Sequence, residues 1–255
     1  MRKTTLLAAL VAALSLPAAT AAQGGPGFMF KNPRVSLGIR TGYQLPRVGS
    51  NIFEFPLDSL TLSRSDFGSP WLGGEIAVRV TDNLDVAAGV GWARARSASE
   101  YVNWLEGGSP IEQVTTLETI NGSLGVKYYF TDRGRSIGRF AWVPSRFTPY
   151  VAGGIGFVEY EFTQEGDFVD FESILVDPVD GSVSAEIFTD RLRSSGTGFA
   201  GYLAGGIDVT LGRQLVLTGE GRYTLSNGPV SGPYSSFDRI DLAGLQLLAG
   251  IGIRF

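Results

Sequence analysis

The stretch Ile240 to Phe255, IDLAGLQLLAGIGIRF, decides how the rest of the chain is read. Successive side chains of an extended strand point to opposite faces. Phe255, Ile253, Ile251, Ala249, Leu247, Leu245 and Ala243 therefore share one face, and Arg254, Gly252, Gly250, Gln246 and Gly244 share the other. A wholly apolar face that ends in an aromatic residue reads as a lipid-facing strand that closes a barrel.

The other end of the chain carries a different signal. Met1 to about Ala22 combines Arg2 and Lys3, an apolar run from Leu6 to Leu14, Pro17 and the small residues Ala19 to Ala22. This is the layout of a secretory signal peptide. The run has roughly half of the about 20 apolar residues that a spanning helix needs. Residues 1–22 are thus expected to be removed, leaving 23–255 as one domain exported through the Sec pathway. Loss of Arg2 and Lys3 takes the formal charge from -4 to -6, which gives a nucleic-acid partner no electrostatic support. The chain has no Cys and no His, so disulfides, lipid anchoring at a cysteine and the commonest general base and metal ligand are all missing.

Hydrophobic residues make up 44% of the chain and Gly occurs 35 times, yet no long apolar stretch follows the signal. Alternation predicts eight strands, at 34–44, 70–80, 84–96, 114–130, 147–162, 197–211, 214–226 and 240–255. The links 81–83 and 212–213 are tight turns, whereas 45–69, 97–113, 163–196 and 227–239 are longer and mostly polar. The basic link 131–146 is of medium length on the short-turn side. Short turns at one end and long loops at the other are the layout of outer-membrane barrels, with the long loops outside the cell. The expected fold class is all-β, a closed eight-stranded antiparallel up-and-down transmembrane β-barrel.

One face of these strands carries residues such as Leu72, Ile76, Val86, Leu124, Val151, Ile155, Leu203, Ile207 and Leu217. The other carries Arg40, Glu75, Arg79, Asp85, Lys127, Asp208, Glu220, Arg222 and Arg254 among small and polar residues. A soluble barrel of the lipocalin kind alternates in the same way with its apolar face inward, so periodicity alone leaves a secreted binding barrel open. Aromatic placement favours the membrane. Tyr43, Trp92, Phe157 and Tyr223 each lie eight residues above the predicted lower end of an upward strand, and Phe199 opens a downward one. Eight residues give ~26 Å of strand, or ~20 Å of height at a tilt near ~40°, comparable to the ~25 Å apolar band of such barrels. Tyr128, Phe130 and Phe255 complete a lower girdle.

With these patterns the chain resembles the small eight-stranded outer-membrane barrels of the OmpX, OmpW and OmpA transmembrane-domain type. The carriers are the final strand with Gly250 five residues before Phe255, the run 149–156 (PYVAGGIG), and the runs Ala204–Asp208 and Gly219–Tyr223. The resemblance implies a bacterial outer-membrane location among outer-membrane lipid and lipopolysaccharide. It also implies an assembly signal for the barrel-assembly machinery at Gly250, Ile251, Ile253 and Phe255, with Leu248 departing from the polar residue common there.

The nine inward charges are expected to form a paired network across the lumen, because unpaired charge is too costly inside so narrow a ring. The inward glycines allow pockets, close backbone approach or tight curvature. Barrel enzymes, by the same resemblance, need His, so no catalytic, cofactor-binding or metal residues are assigned and no cofactor is expected. Asp177 and Asp180 match no calcium loop. Segment 164–195 combines many acids with Phe168, Val169, Phe171, Ile174, Leu175, Val176, Ile187 and Phe188. It predicts a strand extension or hairpin above the membrane, packed partly on Phe53, Phe55, Leu57 and Leu60, and is the candidate surface for a partner. The expected role is structural or surface-interactive in a monomer. The alternative is OmpW-like passive entry of small hydrophobic molecules, for which Tyr202 and Ala200 are the inward candidates near the top.

Overall fold

The computed structural model describes residues 28–106, 108–138, 141–176, 178 and 183–255. The segment read as a signal peptide, 1–22, and the pair Asp177 and Asp180 lie outside them. The elements are β1 (Val35–Pro46), helix α1 (Asn51–Ser59), β2 (Ser69–Arg79), β3 (Leu84–Glu106), β4 (Ser109–Tyr129), β5 (Gly134–Ile137), β6 (Ala141–Pro144), β7 (Phe147–Val176), β8 (Val183–Thr210), β9 (Leu215–Gly228), β10 (Ile240–Asp241) and β11 (Gly244–Arg254). Among the described residues no helix is long and apolar enough to cross a membrane.

All ladders are antiparallel, and β1, β2, β3, β4, β7, β8, β9 and β11 pair in turn, with β11 returning to β1. The first residue of β1 and the last of the chain lock this return: Val35 N donates to Phe255 O at 3.0 Å, and Phe255 N donates to Val35 O at 2.9 Å. The register pairs Ile39 with Ile251 and Leu37 with Ile253, so the apolar set of the last strand meets that of the first.

The expected closed eight-stranded up-and-down barrel is corrected in three respects. Among the described residues the sheet has nine strands in the order β10-β9-β11-β1-β2-β3-β4-β7-β8, with β8 also on β9, so strand order is not a plain meander. The predicted strand 240–255 is broken: Ile240 and Asp241 pair with Gly228 and Asn227, Leu242 and Ala243 leave the ladder, and Gly244 re-enters it against Thr224. Asp241 Oδ1 accepts from Ala243 N at 3.0 Å, a local side-chain bond that replaces a rung and turns Ala243 inward, off the face predicted for it. Finally, the eight-strand hydrogen-bond ring does not hold over the full height. β2 leaves β3 above Ala93, and β9 leaves β8 above Phe199, so the sheet is open there.

Above the ring, β3–β4 and β7–β8 continue as two tall hairpins, the second running to Val176 paired with Val183. The link 45–69, read as loop, folds as α1 followed by a 3-10 turn at Arg64–Phe67. In α1 the apolar Ile52, Phe53 and Pro56 share the buried side, the spacing of a helix face. At the lower end, the basic link 131–146 forms a separate two-stranded sheet, β5–β6, whose Trp142 bridges Met29.

Candidate functional site

The polarity of the strands inverts partway up without any shift of register. On β7 the outward residues below are Val151, Ile155 and Phe157, all exposed, and the inward ones include Tyr150, Ala152, Gly154 and Gly156. From the next turn of the pleat the outward residues are Glu159, Glu161 and Glu165, and the inward ones are Val158, Tyr160 and Phe162, all buried. β3 changes at the same level, from Leu84, Val86 and Trp92 to Arg94, Arg96 and Glu100. The belt below this level is fully displayed: Leu203 is 74% exposed, Ile155 57% and Leu72 52%. Apolar surface of this extent is far beyond what water-soluble monomers show.

The residues assigned to girdles stand on that belt. Tyr43, Trp92, Phe157, Phe199 and Tyr223 lie along its upper margin and Tyr128, Phe130 and Phe255 along its lower one, every one exposed. Phe147, not assigned from the sequence, joins the lower set. Immediately above the upper margin the outward face carries cross-strand pairs, Arg193 with Glu161 at 2.7 Å and Arg94 with Glu118 at 3.9 Å, while the Trp92 indole donates to Glu118 at 3.2 Å. Of the residues assigned to assembly, Ile251, Ile253 and Phe255 face outward on the belt, and Gly250 lies inward against the Arg40 side chain.

Inside, the structure divides the nine predicted charges into two groups. Arg40 bridges Glu75 and Glu220, the latter at 2.8 Å; Arg222 donates to Glu220 at 2.9 Å and lies 3.7 Å from Glu75; Lys127 stands 3.4 Å from Glu75. Three cations thus surround two carboxylates. The Tyr150 hydroxyl donates to Glu220 at 2.7 Å, Lys127 sits 4.0 Å from the Tyr150 ring, and the Arg222 guanidinium lies 4.5 Å from the Tyr202 ring. Every buried charge here has opposite charge, a hydroxyl or an aromatic face beside it, as a low-dielectric interior demands.

The lower group is built differently. Asp85 takes both oxygens to Arg133, at 2.5 and 2.6 Å, and Asp208 accepts from the Tyr129 hydroxyl at 3.0 Å and from Thr218 at 2.7 Å. Arg79 donates to main-chain oxygens of Pro33, Thr81 and Asp82, and Arg254 donates to Thr210 at 2.7 Å. Both guanidiniums flank the buried Trp142 of β6, at 5.9 and 5.2 Å. Arg133, Tyr129, Tyr150 and Trp142 were not identified from the sequence. Arg133 and Trp142 sit in the link 131–146, where the only legible signal is its basic, aromatic composition.

Large rings fill the space that inward glycines leave. A side chain at Gly73 or Gly91 collides with the Trp71 indole, and one at Gly125 or Gly154 collides with Tyr202. At these four positions the glycines serve close approach, whereas Gly38, Gly250 and Gly252 line a cavity lower down. Leu248, the departure from the assembly pattern, packs inward with Trp71 and Ala93 as a thin apolar layer. A cavity of about 70 Å³ remains along the lower interior, room for a few waters, and a second of about 270 Å³ lies at the lower end beside Arg79, Arg133 and Trp142.

Above the inversion the interior is an ordinary hydrophobic core. Ile52 and Phe53 of α1 pack with Leu60, Phe67, Tyr160, Phe162, Tyr234 and Ile240, and Phe53 and Phe162 are wholly buried. Their rings meet edge to face with centroids 5.6 Å apart. Of the inward candidates for an entry route, Ala200 is part of this core and Tyr202 lies outside it, with Arg222 over its ring. Burial pushes the Tyr234 and Tyr101 hydroxyls up from the usual tyrosine range. At the 3-10 turn, hydrogen bonds from Ser63 Oγ and N hold the Asp66 carboxyl below its ordinary range. The described residues of 164–195 form the upper part of the β7–β8 hairpin; Phe171 meets Phe55 of α1 at 6.1 Å, and Leu57 and Ile187 pack on the core. Among the described residues no group of three or more Asp and Glu is arranged to hold a metal ion.

No protein-family model and no curated protein matches this chain. Solved structures do. The outer membrane protein OprG from Pseudomonas aeruginosa is 14% identical, with 89% of this chain and 99% of that chain covered and a TM-score of 0.47. A major outer membrane protein from Thermus thermophilus is 14% identical, covering 88% and 100% with a TM-score of 0.42. The outer membrane protease OmpT from Escherichia coli is 11% identical, covering 89% and 98% with a TM-score of 0.43. The likeness is to outer-membrane proteins in general and singles out none of the OmpX, OmpW or OmpA types. At these identities and TM-scores it carries no weight on function, which rests on the geometry above.

Proposed function

We propose that this chain is a non-enzymatic integral protein of a bacterial outer membrane, with a structural or surface-interaction role and a filled, charge-paired interior. The observation that carries the reading is the inversion of polarity at one level of the strands, with exposed aliphatic residues below and exposed charge above. A medium that is apolar over that height and aqueous beyond it gives this pattern a physical reason; water alone does not. Sec export, removal of 1–22 and engagement of the assembly machinery through Gly250, Ile251, Ile253 and Phe255 belong to the same reading. Passive entry of small hydrophobic molecules has less support, because α1 and its aromatic neighbours occupy the mouth that such a solute needs. Expression in a diderm host followed by membrane pelleting without detergent tests the proposal. The folded protein is expected in the pellet and to require detergent for release. Recovery of folded protein in the aqueous fraction restores the lipocalin-like alternative and removes this one.

A further inference from the structure

The hairpins β3–β4 and β7–β8 rise side by side above the ring, joined by Phe171 against Trp104 and Tyr101, with ring centroids 6.0 and 6.5 Å apart, and by Gln113 donating to Asp167 O at 2.9 Å. Their ends display apolar side chains that none of the described residues covers: Leu175 is 70% exposed, Leu105 64% and Val176 63%. The same upper stretches of the two hairpins carry Glu100, Glu106, Asp170, Glu172 and Glu186, and the described residues of 97–113 and 164–190 include no Lys or Arg; the first cation below on β8 is Arg191, 3.6 Å from Glu165. The charge of this crown is of one sign, in contrast to the ion-paired band just above the aromatic margin.

We propose that this crown is a docking surface for a cationic amphipathic polypeptide, one that sets apolar side chains on Leu105, Leu175 and Val176 and Lys or Arg against the surrounding carboxylates. The inference rests on the outward-facing orientation proposed above and names the partner class for it. Charge selects among occupants. A second copy of this chain brings acid against acid, and a phosphate-bearing lipid surface is repelled likewise, whereas a basic segment gains steering and contact from the same field. The apolar ends supply the desolvated centre that an interface needs, and the acids supply its rim.

The test uses the full mature chain in nanodiscs of zwitterionic lipid, with empty nanodiscs as blank, and three synthetic helical peptides: Lys/Leu, Glu/Leu and Lys/Ser. Only the Lys/Leu peptide is expected to bind, and raising salt from about 50 to about 500 mM should weaken it by about tenfold or more as the exposed charges are screened. Leu175→Ser with Val176→Ser, and separately Asp170→Asn with Glu172→Gln and Glu186→Gln, should each reduce binding at least several-fold while the ring stays folded. Equal binding of Glu/Leu shows unspecific adhesion, equal binding of Lys/Ser shows charge alone, and no binding of Lys/Leu shows no site; each overturns the proposal. A Ser184→Cys variant labelled on intact cells with a membrane-impermeant thiol reagent separates the two readings. Failure to label removes the outward orientation, while labelling together with absent Lys/Leu binding removes only the docking surface.

Discussion

β7 passes through two regions that obey opposite rules. In its lower half, below Phe157, apolar residues face out and the interior holds small residues, Tyr150 and the network around Glu220; above it, from Glu159 to Glu165, charges face out and Phe162 is wholly buried. Nothing in the backbone distinguishes the halves, since the register with β4 and β8 runs through the change without interruption. On the membrane placement proposed above, what differs is the medium outside. Where apolar side chains gain nothing by turning inward, the interior is left to polar groups that satisfy one another; where water surrounds the sheet, the usual hydrophobic core returns. One strand therefore records the boundary of its solvent.

The contrast can be broken most forcefully from inside the lower half. Glu220→Ala leaves Arg40, Arg222 and Lys127 with Glu75 as their one nearby carboxylate in the network. Unfolding in lipid vesicles followed against urea should show a loss of about 3–5 kcal/mol, the usual cost of breaking a buried pair from one side. A loss under ~1 kcal/mol would mean the network adds little. In the upper half the corresponding core change is Phe53→Ala, which opens a cavity against Phe67 and Phe162 and should cost about 3–5 kcal/mol. Here the loss should appear first as faster hydrogen exchange in α1 and the hairpins; exchange that quickens first in the lower strands contradicts two separately packed tiers.

Outward substitutions sharpen the boundary itself. Ile155→Arg places charge in the middle of the belt and should destabilise the lipid-embedded protein by about 2–4 kcal/mol. Glu161→Leu, only six residues further along the same face, should cost no more than about 1 kcal/mol, the worth of its exposed pair with Arg193. Equal effects at the two positions would mean that no change of medium lies between them. The smallest effect belongs to Asp66. Its carboxyl is held below the ordinary range by Ser63, so the stabilisation of the turn is fully present above the unfolded Asp value and is lost as pH falls through the depressed one. Exchange at the Ser63 amide should quicken over that acidic window, and Asp66→Asn should abolish the pH dependence.

Much of the lower half was legible in the residues themselves. Alternation set strand phase, and phase sorted Leu72, Ile155 and Leu203 from Arg40, Glu75 and Glu220. The upper half was less so. Alternation alone does not mark where β3, β4, β7 and β8 end, because it continues unchanged into the hairpins, and α1 leaves little sequence signal because Pro56 interrupts a nine-residue helix held by tertiary packing rather than by propensity. Arg133 reached Asp85 from a link with no periodicity to read.

By itself the sequence determined which side chains share a face, because a strand's period of two is a local property of the backbone. The tertiary structure alone decided how those faces are used: that Arg40 and Arg222 share Glu220 across strands far apart in the chain, that Trp71 and Tyr202 occupy the room of facing glycines, and that the ring opens above Ala93 and Phe199. Those outcomes depend on which strands become neighbours and at what height, and no local periodicity encodes either.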